Sequence, residues 1–566
     1  MSLTLIKRIY KLFSDSEKRG LALILLITII SSIIQALGVA SIMPFIALIS
    51  SPEIAQVNPF IVSISDWLGI QDNIQLVFTA GIFAFIIFAL GNILTTLDTW
   101  LSVRFFYLKD YQLSILLLNK YLNKSWPAFQ KKSTPEMTKT ILSDVDRVIE
   151  SSFLTFTGLI SKLIVTSCIV ALLIWIDIYV TLITALILGL SYWLIYTLIS
   201  DKVNTLGKQF TLLESDIYQS LEQSLKFYKE AKLTSSENFF ITKFSTPLKT
   251  ATDNAIKYAT LSIIPVQLVE LLAFGIIIGV ALYFYAIQAN DVVTTIAIYA
   301  FAAYKLVPLL KSIFDSIESM RFGSSVLDLI LKELEQKEVI RSNNSAEGVI
   351  TLEDSISFKN IHFRYANHLP WVLKNQSLTI SAGKITVIKG KSGIGKSTTM
   401  DLLLGLQIPE QGQIEVDGKQ ITERDIKSWQ NSISYVPQDV QLLDDSISAN
   451  IAFAIDSNDL DSERLQIAIN LAELGDVIAS FPEKEKTIIA ASGISLSGGQ
   501  KQRIGLARAL YDNKRILFLD EFTNELDNET EGKILSNLKS IENITIVCIS
   551  HKSSMLDIAD QIVEIK

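Results

Sequence analysis

The chain has 566 residues, enough for more than one domain, since domains usually run to about 100 to 200 residues. Hydrophobic residues make up 49% of the sequence and charged residues only 19%, below the roughly 25% that soluble proteins carry, so we expect part of the chain to contact lipid. The net charge of -8 is modest and the basic residues form no long stripe, which argues against a protein that binds nucleic acid.

The first apolar stretch, residues 21–49, follows several basic residues and superficially resembles a secretion signal. It is too long for a signal sequence and lacks a cleavage site of small residues. We therefore interpret it as a retained first membrane helix.

Six apolar segments are each long enough to cross a bilayer, which takes about 20 helical residues. They cover residues 21–49, 74–107, 151–175, 178–200, 262–287 and 292–318. The sequence thus predicts a transmembrane domain over residues 1–325, a linker over 326–350 and a different, C-terminal domain over 351–566.

The charges of the connecting loops predict the orientation, because Lys and Arg favour the cytoplasmic side. The connections after the first, third and fifth segments carry acidic residues but no Lys or Arg, so we expect them to face outward. The N-terminus and the stretches around 108–150 and 201–260 are rich in Lys and are expected to face inward. Six crossings then leave the C-terminal domain in the cytoplasm.

Both long inward connections interleave apolar and charged residues at helical spacing, at 107–122 and 201–232. They are expected to extend the membrane helices into the cytoplasm. Residues 126–134 and 232–240 are candidates for short transverse helices that rest on the C-terminal domain, with plain linker as the alternative.

On the outer side, residues 58–69 predict a short helix in the membrane interface. Its apolar face would consist of Phe60, Ile64, Trp67 and Leu68. Anchoring without a substrate role is the commoner explanation for such a helix.

Five ionisable residues lie in or near the apolar segments, where charge is costly and often functional. Asp98, Arg104 and Lys162 are favoured as residues near helix ends that reach water. Glu270 and Lys305 are better candidates for the lining of a cavity.

The clearest motif in the C-terminal domain is a phosphate-binding loop of the form G-x-x-x-x-G-K-[ST]. It reads Gly390, Lys391, Ser392, Gly393, Ile394, Gly395, Lys396, Ser397 and Thr398. It follows an apolar strand at 385–388 and opens a helix, which is the context that the motif requires. Backbone N–H groups would surround the β-phosphate, Lys396 would reach the β- and γ-phosphates, and the Ser397 hydroxyl would bind Mg²⁺.

Two further apolar runs, 516–519 and 544–549, are typical of parallel strands buried on both faces. The first ends at Asp520, which would help to hold Mg²⁺, and Glu521, which would act as the general base on the attacking water. The second ends just before His551, which we interpret as a γ-phosphate sensor, since strand ends converge on one crevice; a chance surface position is the alternative. The fold class predicted is a membrane α-helical bundle of six transmembrane helices plus an α/β P-loop ATPase domain.

A Gly-rich turn between the phosphate loop and the Asp-Glu pair opens a helical run over 501–511 and is itself an anion site. It reads Leu496, Ser497, Gly498, Gly499 and Gln500. In this order, the phosphate loop, this turn, the Asp-Glu strand and the strand-end His resemble the nucleotide-binding domain of the ABC transporter family. That resemblance implies that the turn faces an ATP bound to a second subunit, so that a second copy of the chain is required.

Other positions acquire roles only through this resemblance. Tyr365 is similar to the aromatic residue that stacks on adenine, and Gln438 to the glutamine that contacts Mg²⁺ and links to the membrane domain. Asp527 matches the loop that crosses the dimer interface, although Asn-Glu-Leu-Asp stands where the family more often has Ser-Ala-Leu-Asp. Residues 487–493 lack the Gly-Glu pair usual in exporters and contain Ala490-Ala491 instead, which puts the usual coupling contact in doubt.

The resemblance to ABC exporters covers essentially the whole chain. Residues 43–46 and 304–308 are similar to segments of the bacterial lipid-linked oligosaccharide flippases of the inner membrane, which turn a polyprenyl-diphosphate sugar to the outer leaflet. The resemblance implies that Lys305 or Arg104 holds the diphosphate, with Glu270 as a further substrate-site candidate. A peptide or drug exporter of the same architecture is the main alternative, and an ATP-gated regulator that moves nothing is another.

Overall fold

The computed structural model describes residues 10, 12–50, 72–286, 292–335, 348–489 and 494–565. The chain divides into two units. The first consists of Met1–Leu122 and Lys132–Lys337, and the second of Asn123–Lys131 and Glu338–Lys566. The outer interfacial helix predicted at 58–69 lies outside the described residues.

The first unit consists of helices, several of them far longer than a bilayer requires. Its described α-helices are α1 Asp15–Ala40, α2 Ile42–Ser50, α3 Asn73–Leu122, α5 Thr134–Lys139, α6 Val145–Val148, α7 Thr155–Ile176, α8 Ile178–Lys226, α9 Tyr228–Leu233, α10 Glu237–Ala286, α11 Val292–Phe322 and α12 Ser324–Glu335. The second unit contributes α4, Trp126–Phe129. At 1.5 Å per residue, the 49 residues of α8 span about 75 Å, so the helix runs without a break through a predicted membrane segment and on into a predicted cytoplasmic one.

Four described helical stretches are long and apolar enough to cross a membrane: Asp15–Ile46, Ile74–Leu122, Thr134–Ile176 and Ile296–Phe322. Two shorter apolar helical stretches, Ile178–Ser191 and Glu270–Ala286, lie at the predicted fourth and fifth spans. The chain is thus a multi-pass membrane protein, while the count of six crossings stays a prediction.

The third membrane-spanning stretch is entered through two π-helical turns, Thr140–Asp144 and Ile149–Leu154. Charged side chains gather beside them, with Arg147 donating to both oxygens of Glu214 on α8 at 3.0 and 2.9 Å. Lys139 lies 3.5 Å from the same Glu214 carboxylate. This cluster joins the π-helical region to the C-terminal half of α8.

The segments predicted as linker and transverse helices have helical structure in part. Residues 326–350 begin as the last part of α12, which ends at Glu335. The 126–134 segment contains α4 and the start of α5. Residues 232–240 contain the turn between α9 and α10, so no separate transverse helix forms over this described stretch.

The second unit is built on two β-sheets with helices packed on them. Its strands are β1 Ser355–Phe363, β2 Leu373–Ser381, β3 Ile385–Lys389, β4 Gln411–Val416, β5 Lys419–Gln420, β6 Ile433–Val436, β7 Ile516–Asp520, β8 Thr545–Ile549 and β9 Gln561–Glu564. Its described α-helices after α4 are α13 Lys396–Leu403, α14 Ile426–Ser432, α15 Ile447–Ile451, α16 Ser462–Leu471, α17 Gly475–Ala479, α18 Gly498–Tyr511, α19 Asn528–Lys539 and α20 Ser553–Ile558.

The larger sheet has the order β6-β7-β8-β3-β9 and its paired strands are parallel. Every residue of β7 and β8 is buried, as expected of strands that are covered on both faces. The smaller sheet, β2-β1-β4-β5, is antiparallel. Because the strands of the larger sheet are parallel, the residues that follow β6, β7, β8 and β3 all emerge at one edge.

Candidate functional site

The phosphate loop joins β3 to the N-terminus of α13. Gly395 has a φ of +104°, and a Cβ added to it would lie 2.8 Å from Leu373 Cδ2, so the tight turn requires glycine. The Lys396 ammonium folds back over the loop and donates to the carbonyl oxygens of Gly390 at 2.9 Å and Lys391 at 3.1 Å. The loop therefore combines a helix N-terminus with a positive charge held in its concave face.

Tyr365 lies beside this loop, as its predicted role requires. Its hydroxyl is 2.8 Å from Thr398 Oγ1 on α13, and its ring meets Phe363 edge to face with centroids 5.1 Å apart. The tyrosine is 51% exposed, so a face of the ring is open to a planar ligand. The structure thus brings an exposed aromatic ring next to the phosphate loop.

Glu521 follows β7 and is connected to two neighbouring loops. Its Oε2 accepts hydrogen bonds from Gln438 Nε2 at 3.0 Å and Asn524 Nδ2 at 2.9 Å. Its backbone N–H donates to the Ile549 carbonyl oxygen at 3.0 Å, and its φ of +46° is left-handed. Gln438 and Glu521, predicted as separate parts of the site, are therefore in direct contact.

Asp520 ends β7 and is 9% exposed. Burial, with the nearby carboxylates of Glu521 and Asp401, raises its pKa to about 6, against the opposing effect of Lys396. A buried carboxylate in this position favours a bound cation, because the cation would compensate for the hydration that the carboxylate loses on burial.

His551 lies two residues beyond β8, which is paired with β7 on one side and β3 on the other. The strand that carries it therefore stands between the strand that leads into the phosphate loop and the strand that ends at Asp520. The predicted convergence of these three strand ends is confirmed by the sheet order.

The Gly-rich turn forms the N-terminus of α18, with Ser497 as its N-cap. Ser497 Oγ accepts from the backbone N–H of Gln500, whose side chain in turn accepts from the Ser497 N–H. A Cβ on Gly498 would meet Oε2 of Glu525, and one on Gly499 would lie 2.7 Å from the Glu525 carbonyl oxygen. The backbone of the loop that contains Glu525 therefore requires glycine at 499, whereas a side chain at 498 would have to displace only the carboxylate end of Glu525.

The same loop ends at Asp527, which caps α19 by accepting from the backbone N–H of Thr530 at 2.9 Å. This hydrogen bond lowers the pKa of the Asp527 carboxyl. Within one chain, the hydrogen bonds described for Asp527 and the Gly-rich turn stay within α19 and α18, and none of them reaches the phosphate loop. The structure of a single chain therefore brings together one part of the predicted site and leaves Ser497, Gly498, Gly499 and Asp527 in another.

The donors at the sheet edge suit Mg²⁺, which prefers hydroxyl, carboxylate and amide oxygens. Ser397, Gln438 and Asp520 supply these three groups. Among the described residues there is no group of three or more His, Cys, Asp or Glu side chains that could hold a metal. A cation here would be shared with the phosphates of a nucleotide.

The charged residues of the membrane helices differ in part from the predictions. Asp98 does not reach water: it is 6% exposed and accepts from the hydroxyls of Thr28 at 2.8 Å and Ser31 at 3.3 Å. Lys162 turns inward as well, donating to Ser316 Oγ at 3.0 Å. Interhelical packing, which sequence spacing does not reveal, places hydroxyl partners next to both charges.

The three substrate-site candidates lie elsewhere in the first unit. The Lys305 ammonium is 5.0 Å from the ring centroid of Phe88, and the Arg104 guanidinium is 5.5 Å from that of Trp100. Glu270 is exposed at the start of the apolar part of α10. An apolar cavity of about 540 Å³ between α8 and α10 includes none of the three in its lining.

Four residues that connect the loops around the site were not predicted: Asn524, Glu525, Glu531 and Lys552. The departure from Ser-Ala-Leu-Asp was the available signal for the first two, because it put an amide and a carboxylate where the family more often has small residues. The segment with Ala490-Ala491 lies outside the described residues.

A phosphate loop, a buried Asp followed by Glu, and a strand-end His on one parallel sheet define a P-loop ATPase. Residues 373–524 match the sequence model of the family described as ABC transporter. A bacterial Atm1-family ABC exporter with ATP bound has a similar fold, with a TM-score of 0.78 and 22% identity over 95% of this chain and 93% of that one.

Two curated relatives are ATP-dependent lipid A-core flippases. The one from Burkholderia orbicola is 27% identical over 459 residues, 80% of this chain and 76% of that protein. The one from Ralstonia nicotianae is 27% identical over 443 residues, 77% of this chain and 74% of that protein. The chain thus carries an ABC transporter ATPase domain and apolar membrane helices on one polypeptide, as ABC exporters do, and it couples ATP hydrolysis to transport.

Proposed function

We propose that two copies of this chain form a homodimer in the bacterial inner membrane that turns a lipid-linked oligosaccharide from the inner to the outer leaflet. The observation that carries this proposal is the likeness to relatives named ATP-dependent lipid A-core flippase over about four fifths of the chain. A lipid-linked oligosaccharide combines an apolar anchor with a saccharide headgroup, as the substrate in that name does.

In this proposal the nucleotide site uses the residues of the sheet edge. Tyr365 stacks on adenine, the backbone of residues 390–398 surrounds the phosphates, and Lys396 bonds the β- and γ-phosphates. Ser397, Asp520 and Gln438 hold Mg²⁺, which neutralises charge on the phosphates. Glu521 accepts a proton from the attacking water, and His551 donates to the γ-phosphate.

The dimer follows from the separation of the two parts of the site. Ser497, Gly498 and Gly499 form the N-terminus of a 14-residue helix, which attracts anions, yet they do not join the phosphate loop of their own chain. A second copy would place this turn, Gln500 and Asp527 against the ATP held by the first. Two composite sites result, and ATP binding closes both.

The substrate site is proposed around the two cations of the membrane helices. Aromatic rings hold Lys305 and Arg104 without neutralising them, and no described acidic residue forms an ion pair with either. Lys305 or Arg104 would therefore be available to the diphosphate of a polyprenyl-linked sugar. Glu270 would face the neutral saccharide hydroxyls.

The test is ATP-dependent movement of a polyprenyl-diphosphate oligosaccharide in proteoliposomes, scored by its accessibility to an external sugar-modifying enzyme. We expect movement by the wild type and none by Glu521→Gln. Lys305→Ala and Arg104→Ala should reduce movement more than Lys311→Ala, which removes an exposed lysine further along the helix of Lys305.

Two results would contradict parts of the proposal. ATP hydrolysis without movement would favour a peptide or drug substrate or a regulator. Unchanged movement by both Lys305→Ala and Arg104→Ala would remove the assignment of the diphosphate site while leaving the flippase function in place.

A further inference from the structure

Lys552, which directly follows His551, holds a buried carboxylate and a backbone carbonyl together. Its ammonium donates to Glu531 Oε2 at 2.7 Å and to the Thr523 carbonyl oxygen at 2.5 Å. The other oxygen of Glu531 accepts from Ser554 Oγ at 2.5 Å. Both oxygens of this carboxylate are therefore engaged by the segment that follows β8.

The contact is buried, which separates it from ordinary surface ion pairs. The Glu531 side chain is 2% exposed and that of Lys552 29%. A buried carboxylate needs its partner, because removing one member leaves an uncompensated charge away from water. Exposed pairs, by contrast, contribute almost nothing to stability.

The ammonium joins the three segments that carry the proposed catalytic and interface residues. Lys552 belongs to the loop after β8 with His551. Thr523 lies two residues beyond Glu521, and Glu531 lies in α19, whose N-cap is Asp527. The backbone N–H of Lys552 also donates to Ser550 Oγ at 3.2 Å, which fixes the turn around His551 from its other side.

We propose that Lys552 is a positioning residue for hydrolysis: its ion pair with Glu531 fixes His551 relative to Glu521 and Asp527. This inference rests on the proposed roles of those three residues. It predicts an effect on the turnover rate and little effect on ATP binding, because Tyr365 and Lys396 are not in contact with the pair.

The experiment is ATP hydrolysis by the full-length protein in proteoliposomes over a range of ATP concentrations. We expect Lys552→Ala to lower kcat about tenfold or more, with KM for ATP changed less than about threefold, as expected for an interaction that acts on catalysis rather than binding. Lys552→Arg, which keeps the charge and can bond the same carboxylate, should recover most of the rate.

The chain offers a matched control in the Lys533–Glu529 pair on the same helix. Its ion pair is also 2.7 Å long, but its side chains are 56% and 79% exposed. Lys533→Ala should leave kcat within about twofold of the wild type, since exposed pairs contribute little.

A purely structural role would lower the folded fraction and leave kcat per folded molecule unchanged, and that result would overturn the inference. If Lys552→Ala does not fold, Ser554→Ala removes one hydrogen bond of Glu531 and leaves the bond from Lys552 in place. It should lower kcat about two- to fivefold, less than the full effect of one bond to a charged group, and an unchanged kcat would overturn the inference too.

His551→Ala separates this inference from the proposed function. A large loss in His551→Ala and in Lys552→Ala supports both. A loss in His551→Ala with normal turnover in Lys552→Ala overturns the positioning role alone. Normal turnover in His551→Ala overturns the proposed sensor and the positioning role together.

Discussion

Gln438 Nε2 donates a hydrogen bond to Glu521 Oε2 at 3.0 Å, which joins the loop after β6 to the end of β7. Asn524 donates to the same oxygen at 2.9 Å. Two amides on one carboxylate oxygen fix the plane of the carboxylate, so its other oxygen has a defined direction. The proposed general base is thus oriented before a nucleotide binds.

Replacing Glu521 with Gln is expected to preserve ATP binding and to slow hydrolysis. Gln has the same shape but accepts protons poorly, and a general base contributes a factor of about 10² to 10⁴ to the rate. Binding of a fluorescent ATP analogue and steady-state phosphate release would measure the two effects separately. Near-normal turnover would show that another residue is the base.

Asn524→Ala is expected to lower kcat about three- to tenfold. A hydrogen bond to a charged group contributes about 1.5 to 3 kcal/mol, and the remaining bond from Gln438 should keep Glu521 partly oriented. The Mg²⁺ concentration needed for half-maximal rate should stay unchanged, because Asn524 is not a proposed ligand. Gln438→Ala removes an equivalent hydrogen bond to Glu521 and also a proposed Mg²⁺ ligand. It should therefore change both kcat and the Mg²⁺ concentration needed for half-maximal rate. Equal Mg²⁺ dependence in the two variants would argue against Gln438 as a ligand.

Glu525→Gln is expected to reduce the ATP concentration for half-maximal hydrolysis. The carboxylate lies against Gly498 at the N-terminus of α18, where the γ-phosphate bound by a partner is proposed to sit. A charge near a helix end is worth about 0.3 to 1 kcal/mol, so removing this competing anion should lower the half-maximal concentration about two- to fivefold. The matched control is Glu529→Gln, an exposed carboxylate on the neighbouring helix, and an equal shift in both variants would refute a specific effect of Glu525.

Asp520→Asn is expected to raise the stability of the protein at neutral pH in buffer without Mg²⁺ or nucleotide. The pKa of Asp520 is raised to about 6 from 3.8, so the folded protein binds this proton more tightly than the unfolded chain does. The contribution of this group to stability is therefore greatest below pH 4 and is lost as the pH rises through 6.

At pH 7.5 the variant should be more stable by about 1 to 3 kcal/mol, and the difference should shrink toward pH 5. Thermal unfolding of the detergent-solubilised protein at several pH values would measure it. Asp512→Asn replaces a half-exposed carboxylate and should show no such trend. A stability difference that does not vary with pH would contradict the assignment to Asp520.

Much of the ATPase unit could be predicted from the sequence because its chemistry lies at strand ends. The runs at 385–388, 516–519 and 544–549 are apolar except for Thr386 and Thr545, and each is followed within two residues by a residue of the site. A parallel sheet then brings those residues to one edge, regardless of the structure of the segments that connect the strands. Gln438 lacked such a signal, since β6 is only four residues long, and it was assigned through the family resemblance.

Contacts between distant loops could not be predicted in this way. Lys552 and Glu531 are 21 residues apart, and neither helical nor strand periodicity relates them. The same holds for Asp98 and Thr28, which are 70 residues apart on two helices. Their pairing depends on how α1 and α3 rotate against each other, which the apolar pattern of a membrane helix does not specify.

The left-handed backbone of Glu521, with its φ of +46°, has a consequence for attempts to engineer this protein. A residue with a Cβ in that conformation is less stable than glycine by about 1 kcal/mol. Glycine would relax the backbone and remove the carboxylate in the same step. A screen that selects only for heat resistance would therefore tend to return inactive variants at this position, so thermostability and turnover must be selected together.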